Sequence, residues 1–65
     1  SPIIERLTKQ REKLQKEADK LRSMLSNERF VANAPEAVIT ENRNGLADAE
    51  DKMAKIDAQL GALGN

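Results

Sequence analysis

The chain has 65 residues, too few to enclose a substrate pocket, with 34% charged residues, one aromatic residue and a formal net charge of zero. It contains no cysteine and no histidine, which excludes disulfides, thiolate metal sites and the commonest general base. No apolar run approaches the roughly 20 residues of a membrane-spanning helix, and no signal peptide is visible. The composition therefore predicts one small helical unit with a thin core, without catalytic residues, metal or membrane partner.

The first half of the chain has the pattern of a long amphipathic helix. Ser1 and Pro2 are typical of an N-cap followed by proline at the first helical position. The pattern predicts helix 1 over about residues 2–27. Its seam recurs in alternating steps of three and four, as heptads do, and consists of Ile4, Leu7, Arg11, Leu14, Ala18, Leu21 and Leu25.

The segment of about residues 28–33 is predicted to be a turn that reverses the chain. Pro35 cannot continue an upstream helix, because it has no N–H and its ring clashes with the preceding turn. It suits the first turn of a new helix, for which Asn33 is the candidate N-cap and Glu36 a favourable negative charge. Phe30 is expected to close the end of the core.

A second heptad seam predicts helix 2 over about residues 34–63. In antiparallel order, the numbers of facing residues sum to 63 or 64 throughout, from Leu25 with Ile39 to Ile4 with Leu60. The expected fold is therefore all-α, a two-helix antiparallel coiled-coil hairpin that makes one domain of the whole chain. The second seam consists of Ile39, Asn42, Leu46, Ala49, Met53, Ile56, Leu60 and Leu63.

Polar residues and a glycine interrupt these seams and helices. Arg11 and Asn42 are expected to fix the register, with the arginine stem against the core and its charge in water. Gly45 lies inside helix 2 and is expected to cost about 1 kcal/mol relative to alanine. Together with Asn44 it predicts a weak point where the helix bends or frays.

Charge is distributed unevenly despite the neutral total. Residues 1–29 hold eight basic and five acidic side chains, whereas residues 30–65 hold three and six. Five basic residues on outer positions of helix 1, again in steps of three and four, are termed the basic stripe: Arg6, Lys9, Lys13, Lys16 and Lys20. The stripe has two interpretations, a solvated helix face or a row of cations that follows a phosphate backbone. Without aromatic residues along the helices to stack single strands, structured RNA suits the second interpretation better.

The predicted turn also carries a resemblance to a known family. The run LSNERFVANAPEAV at residues 25–38, with the heptads around it, closely resembles the C-terminal arm of bacterial valyl-tRNA synthetases. That family has a turn of the form L-S-N-E-x-F-V-x-x-A-P-E-x-V between two heptad helices, and the similarity covers essentially the whole chain. The motif falls on positions that look structural rather than RNA-reading: Leu25, Asn27, Glu28, Phe30, Val31, Ala34 and Pro35.

The resemblance implies an accessory tRNA-binding module, an antiparallel coiled coil that leans on the outer corner of tRNA. Its implied partners are tRNA, expected to be tRNA-Val, and the rest of a cytoplasmic synthetase chain. The parent enzyme would use ATP to join valine to tRNA, whereas this piece would hold no catalytic residue and no cofactor. The charge pattern offers eight candidate tRNA contacts: Arg6, Lys9, Lys13, Lys16, Lys20, Arg22, Arg29 and Arg43.

A second function, from a different class, stays open at the level of sequence. A structural coiled coil would mediate protein association without binding RNA. The thin core also leaves open a weak homodimer of the isolated piece. Binding of tRNA at low and moderate salt distinguishes the two functions, because phosphate contacts weaken as salt rises.

Overall fold

The computed structural model describes residues 2–64, which form three α-helices: α1 Pro2–Ser26, α2 Glu28–Asn33 and α3 Glu36–Ala62. The all-α class is confirmed, and no strand occurs in this described part of the chain. The molecule is a rod with principal extents of 46 × 14 × 13 Å. Over the described residues, no helix has the length and apolar character required to cross a bilayer.

The two long helices begin and end close to their predicted bounds. Pro2 is the first residue of α1, as expected of a proline, while its predicted N-cap, Ser1, lies outside the described residues. At the other end of α1, the Ser26 hydroxyl donates to the carbonyl oxygen of Arg22 at 2.9 Å. That hydroxyl bond occupies a carbonyl of the last turn, and the helix stops one residue before the predicted end.

The segment predicted as a turn, residues 28–33, is itself a short helix, so the two-helix description must be corrected to three. Asn27 is responsible for the difference, because it follows the last residue of α1 and is the N-cap of α2. Its side-chain oxygen accepts the backbone N–H of Arg29 at 3.0 Å and that of Phe30 at 3.3 Å. These two bonds satisfy N–H groups that lack a partner at a helix start, and Glu28 adds a favourable charge there.

The predicted N-cap of the last helix is also wrong. Asn33 is the final residue of α2, and its side-chain N–H donates to the Arg29 carbonyl at 2.8 Å. Pro35 occupies the N-cap position instead, with no side-chain cap, and α3 begins at Glu36. The Pro35 carbonyl accepts the N–H groups of Val38 at 3.0 Å and Ile39 at 3.2 Å, so the helix starts on backbone bonds alone.

The core lies between α1 and α3. Ala18, Ala49 and Met53 form its centre, and the half-buried Leu14 and Leu46 pack against them. Small residues thus meet larger ones at the middle of the rod, which lets the two helices approach closely. The other buried residues all come from α3: Ile39, Ile56 and Leu60.

The seams predict burial well. Every described seam residue is buried or half-buried except Leu63, which follows the end of α3 and is 47% exposed. Contacts between the long helices run in opposite order along the two, since Arg22 pairs with Glu50 and Arg11 pairs with Asp57.

Gly45 lies inside an unbroken α3, close to α1. A Cβ atom at this position would be 3.2 Å from Leu21 Cδ1. We expect Gly45→Ala to raise the free energy of unfolding by about 0.5 kcal/mol, because the gain of about 1 kcal/mol in helix propensity is partly offset by displacing the end of the flexible Leu21 side chain. Urea denaturation followed by circular dichroism measures the change.

Gly61→Ala is the control for the Gly45 prediction, since nothing lies within 4 Å of its added methyl group. It isolates helix propensity from contact, although its position in the last turn makes the gain smaller. A clear loss of stability in Gly45→Ala would contradict the prediction and show that Leu21 cannot move.

Candidate nucleic-acid interface

The basic stripe lies exposed along the outer face of α1. All five of its residues are exposed, and none forms an ion pair with another of residues 2–64. From Arg6 to Lys20 the stripe extends over 14 residue steps, or about 21 Å of helix. The structure therefore gathers these cations into one accessible row.

Lysines of α3 are neutralised within their own helix. Lys52 Nζ lies 3.0 Å from Asp48 Oδ2, and Lys55 Nζ lies 3.2 Å from Asp51 Oδ2, both pairs one helical turn apart. The hydrogen bond to Asp48, supported by its charge, raises the pKa of Lys52 above the usual lysine range. The outer surface of α3 is accordingly a mixture of both signs rather than a cationic row.

One edge of the seam carries a chain of side-chain hydrogen bonds, termed the polar ladder, which joins α1 to α3. At its first end, Arg11 Nε donates to Asp57 Oδ1 at 2.5 Å and Nη2 donates to Oδ2 at 3.3 Å. This hydrogen bond and the carboxylate charge raise the pKa of Arg11. Arg11 Nη1 also donates to Gln15 Oε1 at 3.4 Å, which carries the ladder along α1.

The ladder then returns to α3 through Arg22. Gln15 Nε2 donates to Asp19 Oδ1 at 2.9 Å, and Arg22 Nη1 donates to the same oxygen at 3.1 Å. Arg22 Nη2 donates to Glu50 Oε2 on α3 at 3.3 Å. The ladder thus crosses between the helices at two levels, and it occupies the Arg22 guanidinium with two carboxylates.

The eight candidate tRNA contacts therefore differ in whether they form an ion pair. Arg22 is engaged in the polar ladder, whereas the other seven form no ion pair among the described residues. Arg29 on α2 and Arg43 on α3 are exposed but lie outside the stripe. The sequence alone does not show that Arg22 is paired. Its side chain is long enough to reach carboxylates on either helix, and which of them it contacts depends on its conformation.

A groove of about 490 Å³ opens between α1 and α3. With 3.6 residues per turn, its α1 residues lie on the side of the seam opposite the ladder, next to the basic stripe. Its lining comprises Gln10, Lys13, Leu14 and Glu17 from α1, and Lys52, Lys55, Ile56 and Gln59 from α3. The sequence pattern marks the seam residues and Lys13 in this set, but no periodic signal marks the glutamines.

Across residues 2–64 there is no group of three or more acidic side chains placed to hold a metal ion. The ionisable residues lie on the surface of a thin rod, since no polar or charged residue among residues 2–64 is buried. The arrangement offers charged and polar surface for binding.

The structure is that of an all-α rod whose first helix carries a row of cations without ion-pair partners among the described residues. A family model described as the valyl tRNA synthetase tRNA binding arm matches residues 2–64. The chain belongs to this family, as the resemblance of its turn predicts.

Curated relatives give the same assignment. The chain is 57% identical over 63 residues to the valine–tRNA ligase of a Nitratiruptor species, covering 97% of this chain and 7% of the relative. It is 58% identical over 60 residues to that of Wolinella succinogenes, covering 92% and 7%, and 52% identical over 59 residues to that of Helicobacter hepaticus, covering 91% and 7%. The chain thus spans about 7% of the length of these relatives. No solved structure matches the chain significantly.

Proposed function

We propose that this chain is the accessory arm with which a valyl-tRNA synthetase holds tRNA-Val. In this proposal α1 and α3 form an antiparallel coiled-coil hairpin with α2 at its tip. The rod leans on the outer corner of the tRNA, and the rest of the synthetase chain carries out the ATP-dependent reaction. The arm contributes affinity and position, and it supplies no catalytic group or cofactor.

The observation that carries the proposal is the contrast between paired and unpaired cations. Arg11, Arg22, Lys52 and Lys55 each hold a carboxylate, so a phosphate must compete with that partner. The stripe residues hold none among the described residues, and they lie in one row on one helix. Such a row suits phosphate groups, whose contacts with lysine and arginine are sequence-independent and salt-dependent.

Association of proteins alone accounts less well for this surface. A protein-joining coiled coil is expected to present apolar residues or charges matched to a partner, and its affinity does not require an unpaired cationic face. The description of the matched family also favours RNA as the partner. Arg29 and Arg43 are secondary candidates for RNA contact, because they are unpaired in the described structure but isolated from the stripe.

Reversal of the stripe tests the proposal. In the full-length synthetase, we expect combined replacement of Lys9, Lys13, Lys16 and Lys20 by glutamate to weaken tRNA binding by about tenfold or more at 0.15 M salt, since it removes phosphate contacts and adds repulsion. The log–log salt dependence of binding should flatten by nearly one unit for each phosphate that the variant no longer binds. Filter binding across a salt series measures both quantities.

The matched control replaces the same four lysines by arginine, which keeps the charge and the helix propensity. It should leave the salt dependence unchanged. An affinity and a salt slope equal to wild type in the glutamate variant would remove the stripe from the RNA interface.

A further inference from the structure

The groove between α1 and α3 has the size of a small-ligand site and an uneven lining. Its volume of about 490 Å³ lies within the usual range of about 300–1,000 Å³ for such sites. Leu14 and Ile56 are seam residues, half-buried and buried, so they form an apolar floor. Gln10 on α1 and Gln59 on α3 both line the groove toward the start of α1, and Gln59 also adjoins Ile3 and Leu7.

The side chains of the two glutamines that line the groove have no hydrogen-bond partner among the described residues. Gln15 donates and accepts within the polar ladder, whereas Gln10 and Gln59 form no side-chain hydrogen bond with another described residue. Both are exposed. A carboxamide offers two N–H donors and an acceptor oxygen, the combination that matches the edge of a nucleobase.

The groove also adjoins the basic stripe. Lys13 belongs to both, and it forms no ion pair among residues 2–64. The acid of the lining, Glu17, lies near Lys52, whose positive charge it favours, at the end away from the glutamines. The base of a nucleotide whose phosphate lies at Lys13 would face the carboxamide end of the groove.

We propose that the groove receives one unstacked nucleobase of the RNA whose phosphates the stripe contacts. Leu14 and Ile56 would lie against the face of the base, and Gln10 and Gln59 would bond to its edge. The inference rests on the proposed function and adds to it, because phosphate contacts carry no information about sequence or pairing. Structured RNA exposes such bases in its loops and bulges, which is where proteins read it.

Removal of both carboxamides tests this inference. In the full-length synthetase, Gln10→Ala with Gln59→Ala should weaken binding of a tRNA-Val transcript about five- to thirtyfold, the effect of losing base-edge hydrogen bonds. Binding of a blunt RNA duplex without unpaired nucleotides should stay unchanged, as should the salt slope. In the tRNA, an unpaired base that the wild-type protein protects from chemical modification should become reactive with the variant.

Two further variants control for shape and for amide loss elsewhere. Gln10→Met with Gln59→Met keeps the approximate size of both side chains and adds no charge but removes their hydrogen-bonding groups, and it should reproduce the loss. Asn44→Ala removes an exposed amide of α3 that does not line the groove, and it should bind tRNA like wild type.

The outcomes separate this inference from the proposed function. If the lysine reversal weakens tRNA binding but the double alanine variant does not, the groove is overturned and the function stands. If neither variant affects tRNA binding, both proposals fall. If the double variant changes the oligomeric state in sedimentation and leaves tRNA affinity unchanged, a second copy covers the groove and the nucleobase site is overturned.

Discussion

A synthetase that lacks this arm should still activate valine with ATP at nearly the wild-type rate, while its affinity for tRNA falls about tenfold or more at 0.15 M salt. Under the proposed function, the arm binds tRNA and the rest of the synthetase carries out activation. The described part of the arm has no enclosed cavity or metal site that activation needs. It does carry seven candidate cations without ion-pair partners among the described residues. Aminoacylation should therefore fall through weaker tRNA binding, and high tRNA concentrations should restore part of it.

Pyrophosphate exchange measures activation without tRNA, and aminoacylation at varied tRNA concentration measures the remaining steps. The four-lysine glutamate variant of the intact enzyme serves as the matched comparison, since it keeps the arm and changes only its charge. It should reproduce most of the loss caused by the deletion. A deletion that lowers activation as strongly as aminoacylation would show that the arm supports the fold of the catalytic body.

The largest effect on folding is expected from Ala18→Leu. Ala18 is 0% exposed and contacts the centre of the core beside Ala49 and Met53. A leucine there has no space unless α1 and α3 move apart, and overpacking of this kind costs about 1–3 kcal/mol. In a chain of 65 residues with a thin core, that is a large share of the total stability. Urea denaturation of the 65-residue chain measures the loss.

Ala54→Leu is the control for the core prediction, because it makes the same chemical change at an exposed position of α3. Its effect should stay within about 0.5 kcal/mol of zero. If the two leucine variants unfold at the same urea concentration, the helices do not approach closely at Ala18, and the description of the core is wrong.

The long helices could be predicted from sequence because their signal repeats over many turns. The two seams identify every described core position, and only Leu63, beyond the end of α3, is exposed. The short helix α2 escapes this method, since six residues are too few for a period to show. The sequence feature that marks α2 is its N-cap, Asn27, followed by the acidic residue Glu28. Because Pro35 suits the first turn of a helix, the N-cap was predicted at Asn33 instead.

The candidate site was predictable to the extent that it depends on helix faces. The exposure of the stripe follows from its outer heptad positions, as with Lys9 and Lys16. The neutralisation of Arg22 and the grouping of Gln10 with Gln59 depend on side-chain conformations and on the offset between helices. Periodicity does not encode either property, so both required the three-dimensional structure.

The charge arrangement has a kinetic consequence. Helix α1 carries an excess of positive charge and α3 an excess of negative charge, on opposite flanks of a rod 14 Å wide. At 0.15 M salt the Debye length is about 8 Å. A distant polyanion therefore experiences no net charge on the arm. A polyanion in contact with α1 is largely screened from the acidic residues of α3. The arm should accordingly do little to accelerate encounter with tRNA, and its contribution should appear as a longer residence time once contact is made.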